Sequence, residues 1–171
     1  MLIVFGGLPG TGKTTLAREL SRQLSAVYLR IDTLEQAIVR SGIASDAGSA
    51  GYVAGYALAA DNLTLGMTVV ADSVNALTLT RDAWIEVARL ASTPFVEIEV
   101  ICSDKTEHRR RVETREPDIA CHTVPTWQEI LDRQYEPWLR KHIVIDTAMV
   151  PASQAVRELI QQLSAVPEHP A

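Results

Sequence analysis

The chain has 171 residues, 47% of them hydrophobic and 22% charged, which suits one domain with a substantial core. Its net charge of −5 argues against a broad basic surface for duplex nucleic acid. The two cysteines, Cys102 and Cys121, have no metal-ligand spacing and read as reduced thiols; no apolar run could span a membrane or serve as a leader, so the cytoplasm is the expected location.

Leu2 to Phe5 is apolar and short, as expected of a buried strand. Gly7-Leu8-Pro9-Gly10-Thr11-Gly12-Lys13-Thr14 follows and matches G-x-x-x-x-G-K-[ST]. Leu16, Leu20 and Leu24 then recur every four residues, with Arg18, Glu19, Arg22 and Gln23 on the other side, which predicts an amphipathic helix. Strand, glycine-rich turn and helix stand in the order a phosphate-binding loop requires. Glycines let backbone amides approach an anion, and the helix start adds the positive end of its dipole. Lys13 offers a mobile charge to the β- and γ-phosphates, and the Thr14 hydroxyl is the expected Mg2+ ligand. Gly7, Pro9, Gly10, Thr11, Gly12, Lys13, Thr14 and Thr15 therefore predict a nucleoside triphosphate site. They do not choose ATP over GTP, and they do not say what becomes of the γ-phosphate.

Ala26 to Ile31 reads as a second strand closed by Asp32, and Thr33 to Arg40 as a helix. A loop of small residues leads to a weakly amphipathic helix from about Tyr52 to Leu65, which Gly66 ends. Met67 to Ala71 is a third strand ending at Asp72, and a helix from about Arg81 to Ser92 aligns Trp84, Val87, Ala88 and Ala91. In a fourth strand, Phe95 to Cys102, Glu97 and Glu99 alternate with apolar residues and predict a partly wet side near a sheet edge. Asp104 and Glu107 have capping-box spacing before HRRRVETR. Thr126 and Glu129 repeat it before a helix with Trp127, Ile130, Leu131 and Trp138 on one face. His142 to Ile145 is a fifth strand ending at Asp146, and a last helix after Pro151 carries Val156, Leu159, Ile160 and Leu163. Residues 166–171 are expected to fray. Apolar strands alternating with helices predict an α/β fold, with a parallel sheet covered on both faces and ligands beyond the carboxyl ends of the strands.

Several residues at that edge carry two readings each. Asp32 is either an N-cap with Glu35 completing a capping box, or a base that accepts the proton of an attacking hydroxyl. Asp72, followed by Ser73 and Asn75, is either a turn former or a carboxylate for Mg2+, directly or through water. His108, Arg109, Arg110, Arg111 and Arg115 are either a solvated helix face paired with Glu107, Glu113 and Glu116, or the source of a phosphate clamp. Arg111 and Arg115, four apart, would then stand one above the other. Trp127, Tyr135 and Trp138 read as core, with contact to a base or substrate ring as the alternative. Thr147 and Ala148 are placed to approach an adenine through backbone groups.

The order GLPGTGKTT, LRIDTLEQAI, TVVADSVN, CSDKTEHRRRVETRE, PTWQEILDRQYEPW and VIDTA resembles bacterial P-loop small-molecule kinases of the AAA-domain, predicted-kinase type. Relatives of that group include chloramphenicol 3-O-phosphotransferase, the 5′-kinase domain of phage polynucleotide kinase and the zeta toxins. Gluconate, shikimate and nucleoside monophosphate kinases are more distant. The resemblance covers nearly the whole chain. It implies a three-layer fold like that of the nucleoside monophosphate kinases, with a five-stranded parallel sheet in order 2-3-1-4-5. One kinase domain would span residues 1–165, with a short helical lid at about 104–125.

It also implies an ATP- and Mg2+-dependent phosphotransferase acting on a small-molecule hydroxyl. Asp32 would be the general base, and Arg111 and Arg115 the lid arginines. Where the phage kinase has an arginine one turn beyond its catalytic aspartate, this chain has Glu35 and Gln36. That departure and the acidic balance argue against nucleic acid as acceptor. A polynucleotide 5′-hydroxyl kinase and a non-catalytic ATP-binding switch are the alternatives. Residues 41–56, 73–77 and 121–135 are expected to shape the acceptor pocket, and monomer and homodimer are both open.

Overall fold

Side-chain alternation along one strand organises the molecule. In β1 (Leu2–Gly6) every residue is buried. Leu2 and Val4 point to one side of the sheet, Ile3 and Phe5 to the other, as a two-residue repeat requires. A computed structural model of the chain describes residues 1–119 and 123–167. Cys121 and most of the tail expected to fray lie outside them.

Ile3 and Phe5 pack with Leu16, Ala17 and Leu20 of α1 (Lys13–Leu24), and with Ala155, Val156, Leu159 and Leu163 of α7 (Ala152–Ser164). Leu2 and Val4 pack toward α2 (Ile31–Arg40), α3 (Ala50–Thr64) and α4 (Thr78–Leu90), against Ile31, Ala59, Leu63, Trp84, Val87 and Ala88. β2 (Val27–Arg30), β3 (Val69–Asp72), β4 (Phe95–Ile101) and β5 (Ile143–Asp146) complete an all-parallel sheet in the order 2-3-1-4-5. Helices cover both faces, and the strand order reverses around β1. The crevice beyond β1 and its neighbours therefore holds the glycine-rich loop, the end of β2 and Asp72 together. Among the described residues, no helix is long and apolar enough to cross a membrane.

Four local expectations need correction. First, α2 begins at Ile31, with Arg30 as its N-cap and no side-chain cap bond. Asp32 is thus inside the first turn and cannot cap it; β2 runs straight into the helix. Second, α5 (Lys105–Thr114) ends before Arg115, whose backbone is extended (φ −72°, ψ 128°). Arg111 and Arg115 therefore do not stack on one helical face. Third, α6 (Trp127–Leu131) is short, although its Thr126–Glu129 capping box is complete, and Trp138 lies beyond it in irregular chain.

Fourth, Glu97 is only 4% exposed, because β4 is internal and residues 134–142 strap across it. Arg140 pairs with Glu97, and His142 and Tyr135 reach Glu99. The strap is fastened by Arg81, itself 2% exposed. It donates to the carbonyls of Asn75, Glu136 and Pro137 and lies 4.8 Å over the Trp138 ring. Trp138 fills the space beside Gly6, where a Cβ would collide with its ring. The strap thereby supports the strand end from which the glycine-rich loop departs.

Candidate active site

The loop Gly7–Gly12 is shaped by conformations that side chains resist. Gly10 and Gly12, at φ 84° and 94°, lie in the left-handed region that favours glycine. A Cβ on Gly10 would come within 2.5 Å of Val112 Cγ2, so α5 packs directly on the loop. His108 fixes that contact by donating from Nε2 to the Pro9 carbonyl at 2.8 Å, with Trp127 edge-on to its ring. Thr11 closes the turn by donating from its amide and hydroxyl to the Leu8 carbonyl. Gly7 donates to Val74 O at 3.0 Å, which ties the loop to the segment after β3. Asn75 locks that segment by donating to Phe5 O and accepting from the Trp84 indole. Thr147 reaches in from β5, donating to Thr11 O at 2.7 Å, and Arg111 donates to the same Thr147 hydroxyl at 2.8 Å. Thr147 accordingly sits beside the loop, while Ala148 donates its amide to Asp146 Oδ1.

Lys13 is 5% exposed at the start of α1. Burial pulls its ammonium below the ordinary lysine value, while Asp72 and Asp32 oppose the shift. Among the described residues no carboxylate lies within ion-pair distance of it. A buried ammonium without a fixed counterion is costly unless a ligand supplies the anion. Asp72 is 1% exposed; it accepts from the Tyr28 hydroxyl at 2.7 Å through Oδ2, and among the described residues its Oδ1 has no hydrogen-bond partner. Burial and the neighbouring Asp72 raise the Tyr28 pKa, which keeps its hydroxyl a donor. The positive-φ glycines, the unpaired Lys13 and the orphaned Asp72 oxygen fit a nucleotide's phosphates with their Mg2+. Thr14 and Asp72 are the residues there that could hold such an ion.

Two cavities meet at these groups. One, of about 240 Å³, is lined by residues of the loop and helix start between Gly10 and Thr15, together with Arg18, Arg111, Arg115 and Asp118. The other, of about 670 Å³, runs from Pro9 and Lys13 past Asp32, Glu35 and Tyr52 to Thr123, Pro125 and Arg133. Lys13 and Arg115 line both. Arg111 and Arg115 thus converge on one site through tertiary structure, although not by helical stacking. Arg109 and Arg110 form exposed pairs with Glu113 and Glu107 and line neither cavity, whereas Arg111 shares Glu107 at 2.8 Å and also reaches Thr147. The three segments expected to shape a pocket each contribute: Tyr52, Val74, and Thr123 with Pro125, Glu129 and Arg133.

Sequence reasoning missed Glu35 as a site residue. One turn beyond Asp32, it faces the larger cavity. Gly51 makes room for it, since a Cβ there would collide with Glu35 Cγ. Burial, with Asp32 and Asp46 nearby, raises its carboxyl from 4.5 to about 7, against a smaller opposing pull from Arg133. The folded protein therefore holds this proton to a higher pH than the unfolded chain does. The associated stability is present below about 4.5 and is lost as pH rises through 7. Glu35→Gln should be more stable than wild type at pH 8, by about 1 kcal/mol once partial exposure is allowed for. Near pH 4.5 the two proteins should match. Urea unfolding at both pH values reads the difference; a variant less stable than wild type at pH 8 would contradict the assignment.

The AAA-domain family model matches residues 2–137. No curated protein matches the chain. Kti12 of Chaetomium thermophilum, solved with ADP-AlF3, is similar with a TM-score of 0.71 at 24% identity over 96% of this chain and 97% of that one. The APS kinase CysC of Mycobacterium tuberculosis, in complex with AMPPNP and APS, gives 0.67 at 19% identity over 96% and 97%. A gluconokinase of Sinorhizobium meliloti 1021 gives 0.64 at 20% identity over 95% and 90%. At these identities the likeness speaks for the fold alone. With the sheet order, the glycine-rich loop and the family match taken together, the chain belongs to the AAA-domain family and has the P-loop kinase fold.

Proposed function

We propose that this protein is an ATP-dependent phosphotransferase that moves the γ-phosphoryl group to a hydroxyl of a small molecule. The observation that carries the reading is the junction of the two cavities at Lys13 and Arg115. One side is sized for phosphates. The other is large enough for a small acceptor and presents Asp32 next to Lys13. Similarity to kinases of gluconate and APS supports a small acceptor.

In this reading the loop amides and Lys13 hold the β- and γ-phosphates. Asp32 takes the proton of the acceptor hydroxyl as its oxygen bonds to the γ-phosphorus. The bond from that phosphorus to the β,γ-bridging oxygen breaks, and ADP leaves with the electron pair. Asp32 then returns the proton to solvent. Thr14 and Asp72 would hold Mg2+, which when bound would supply positive charge to offset that of the phosphates. Arg111 and Arg115 stabilise charge on the transferring group, and residues 104–125 act as a lid that excludes water from a single kinase domain of residues 1–165. Positioning and charge supply most of the rate, since phosphoryl transfer asks little covalent help from a protein.

A screen of hydroxyl compounds with Mg-ATP, read by ADP release and by the mass of the product, tests this. ADP is expected to appear in step with a phosphorylated small molecule, and 5′-hydroxyl oligonucleotides are expected to stay unmodified. A phosphorylated oligonucleotide would make the protein an end kinase. Nucleotide binding with no product from any acceptor would favour a switch instead.

A further inference from the structure

At the margin of the smaller cavity, three guanidinium groups converge on one carboxylate. Arg30, at the end of β2, has a side chain only 2% exposed. It donates to both oxygens of Asp118, at 2.7 and 3.0 Å. Arg18 of α1 donates to Asp118 Oδ2 at 2.7 Å, and Arg115 to Oδ1 at 3.4 Å. Three cations share Asp118, and even with Asp32 beside Arg30 they outnumber the carboxylates paired with them. Among the described residues Arg30 Nε has no hydrogen-bond partner; Asp32 is the other carboxylate within ion-pair distance of this guanidinium, at 3.7 Å, and Asp72 acts on it from farther away.

A carboxylate has two oxygens and one charge to offer this group. A phosphoryl group brings three oxygens and up to about two charges, and guanidinium forks fit either. Asp118 is thus an underpowered partner for its arginines. It also lines a cavity suited to phosphates, where any phosphate that enters must repel it.

We propose that Arg18, Arg30 and Arg115 form a phosphoanion site that Asp118 fills until a phosphate displaces it. Asp118 is then a latch supplied by the chain itself. It fastens the segment after α5 to β2 and α1, and its displacement releases Arg115 to the incoming anion. Because Arg30 also borders Asp32, occupancy of the site reaches the proposed base. Hydrogen bonding from Arg30 holds the Asp118 carboxyl well below the usual carboxylate range, so anions, not protons, open the latch near neutral pH. The inference rests on the nucleotide site of the proposed function, but not on phosphoryl transfer.

Asp118→Asn keeps the shape and removes the charge. Calorimetry should show it binding AMPPNP about tenfold more tightly than wild type, as expected when one nearby like charge is removed. Unchanged or weaker binding would make Asp118 a purely structural tie and overturn the latch. Inorganic phosphate titrated into the variant already saturated with AMPPNP separates two sources of the anion. No second event assigns the site to the nucleotide's phosphates, and a second event assigns it to a phosphate on the acceptor. Should the variant not fold, a crystal structure of wild type with AMPPNP decides. Asp118 is expected farther than about 4 Å from Arg18 and Arg115, beyond ion-pair reach. Retention of both pairs would overturn the proposal. Tighter AMPPNP binding by a protein that phosphorylates no acceptor would keep the latch and remove the proposed reaction.

Discussion

Asp32→Asn should lower turnover by roughly 10²- to 10⁴-fold while the affinity for ATP stays within about twofold of wild type. The amide has nearly the shape of the carboxylate but cannot accept the acceptor's proton. Asp32 lies in the first turn of α2, its side chain 23% exposed, with Lys13 and Glu35 on the same cavity wall. A capping role would predict something else: a stability loss of about 1 kcal/mol with catalysis intact. The start of α2 at Ile31 already removes that role. Steady-state kcat and KM for both substrates, together with thermal unfolding, separate the two outcomes. Wild-type turnover by the variant would take Asp32 out of the chemistry.

Lys13→Met should do the reverse to binding and stability. The lysine is buried with no ion-pair partner among the described residues, and burial already disfavours its charge. An apolar side chain of similar length should therefore leave the protein at least as stable as wild type. Its nucleotide affinity should fall sharply, and turnover by about 10³-fold, since a preorganised charge at the transferring phosphate is lost. Calorimetry with AMPPNP and a melting curve of the free protein make the comparison. A destabilised variant that still binds nucleotide normally would mean that Lys13 serves the fold and not the phosphates.

What was legible in the sequence follows the range of the interactions. The phosphate loop is contiguous, and its strand, glycines, lysine and helix are all local, so both its position and its shape could be read directly. The sheet was legible because β1, and β3 up to Asp72, are apolar and must be covered on both faces. The strap over β4 was not legible. Glu97 and Glu99 looked like a wet face because their partners, Arg140 and His142, stand about forty residues away in sequence.

Arg30 and Asp118 are separated by 88 residues, and nothing in either neighbourhood announces the pair. His108 was visible only as part of a charged run, although its ring anchors α5 to Pro9. Glu35 carried a signal that went unused. A glutamate one turn after a candidate base, opposite a glycine in the next helix, is what a carboxylate turned into a cavity leaves behind. Arg115 lines both cavities for a reason that four-residue spacing does not capture: an extended backbone after α5 brings it there, not helical stacking.

The central claim is that the γ-phosphoryl group passes from ATP to an alcohol at the junction beside Lys13. It is tested most directly by following that group itself. ATP labelled with ¹⁸O in the γ-phosphoryl group is incubated with the protein, Mg2+ and a mixture of hydroxyl-bearing small molecules. Mass spectrometry then locates the label. The account predicts labelled phosphate in ester linkage on a small-molecule alcohol, abolished in Asp32→Asn. Label that remains in ATP, or that appears only as free inorganic phosphate, would contradict it.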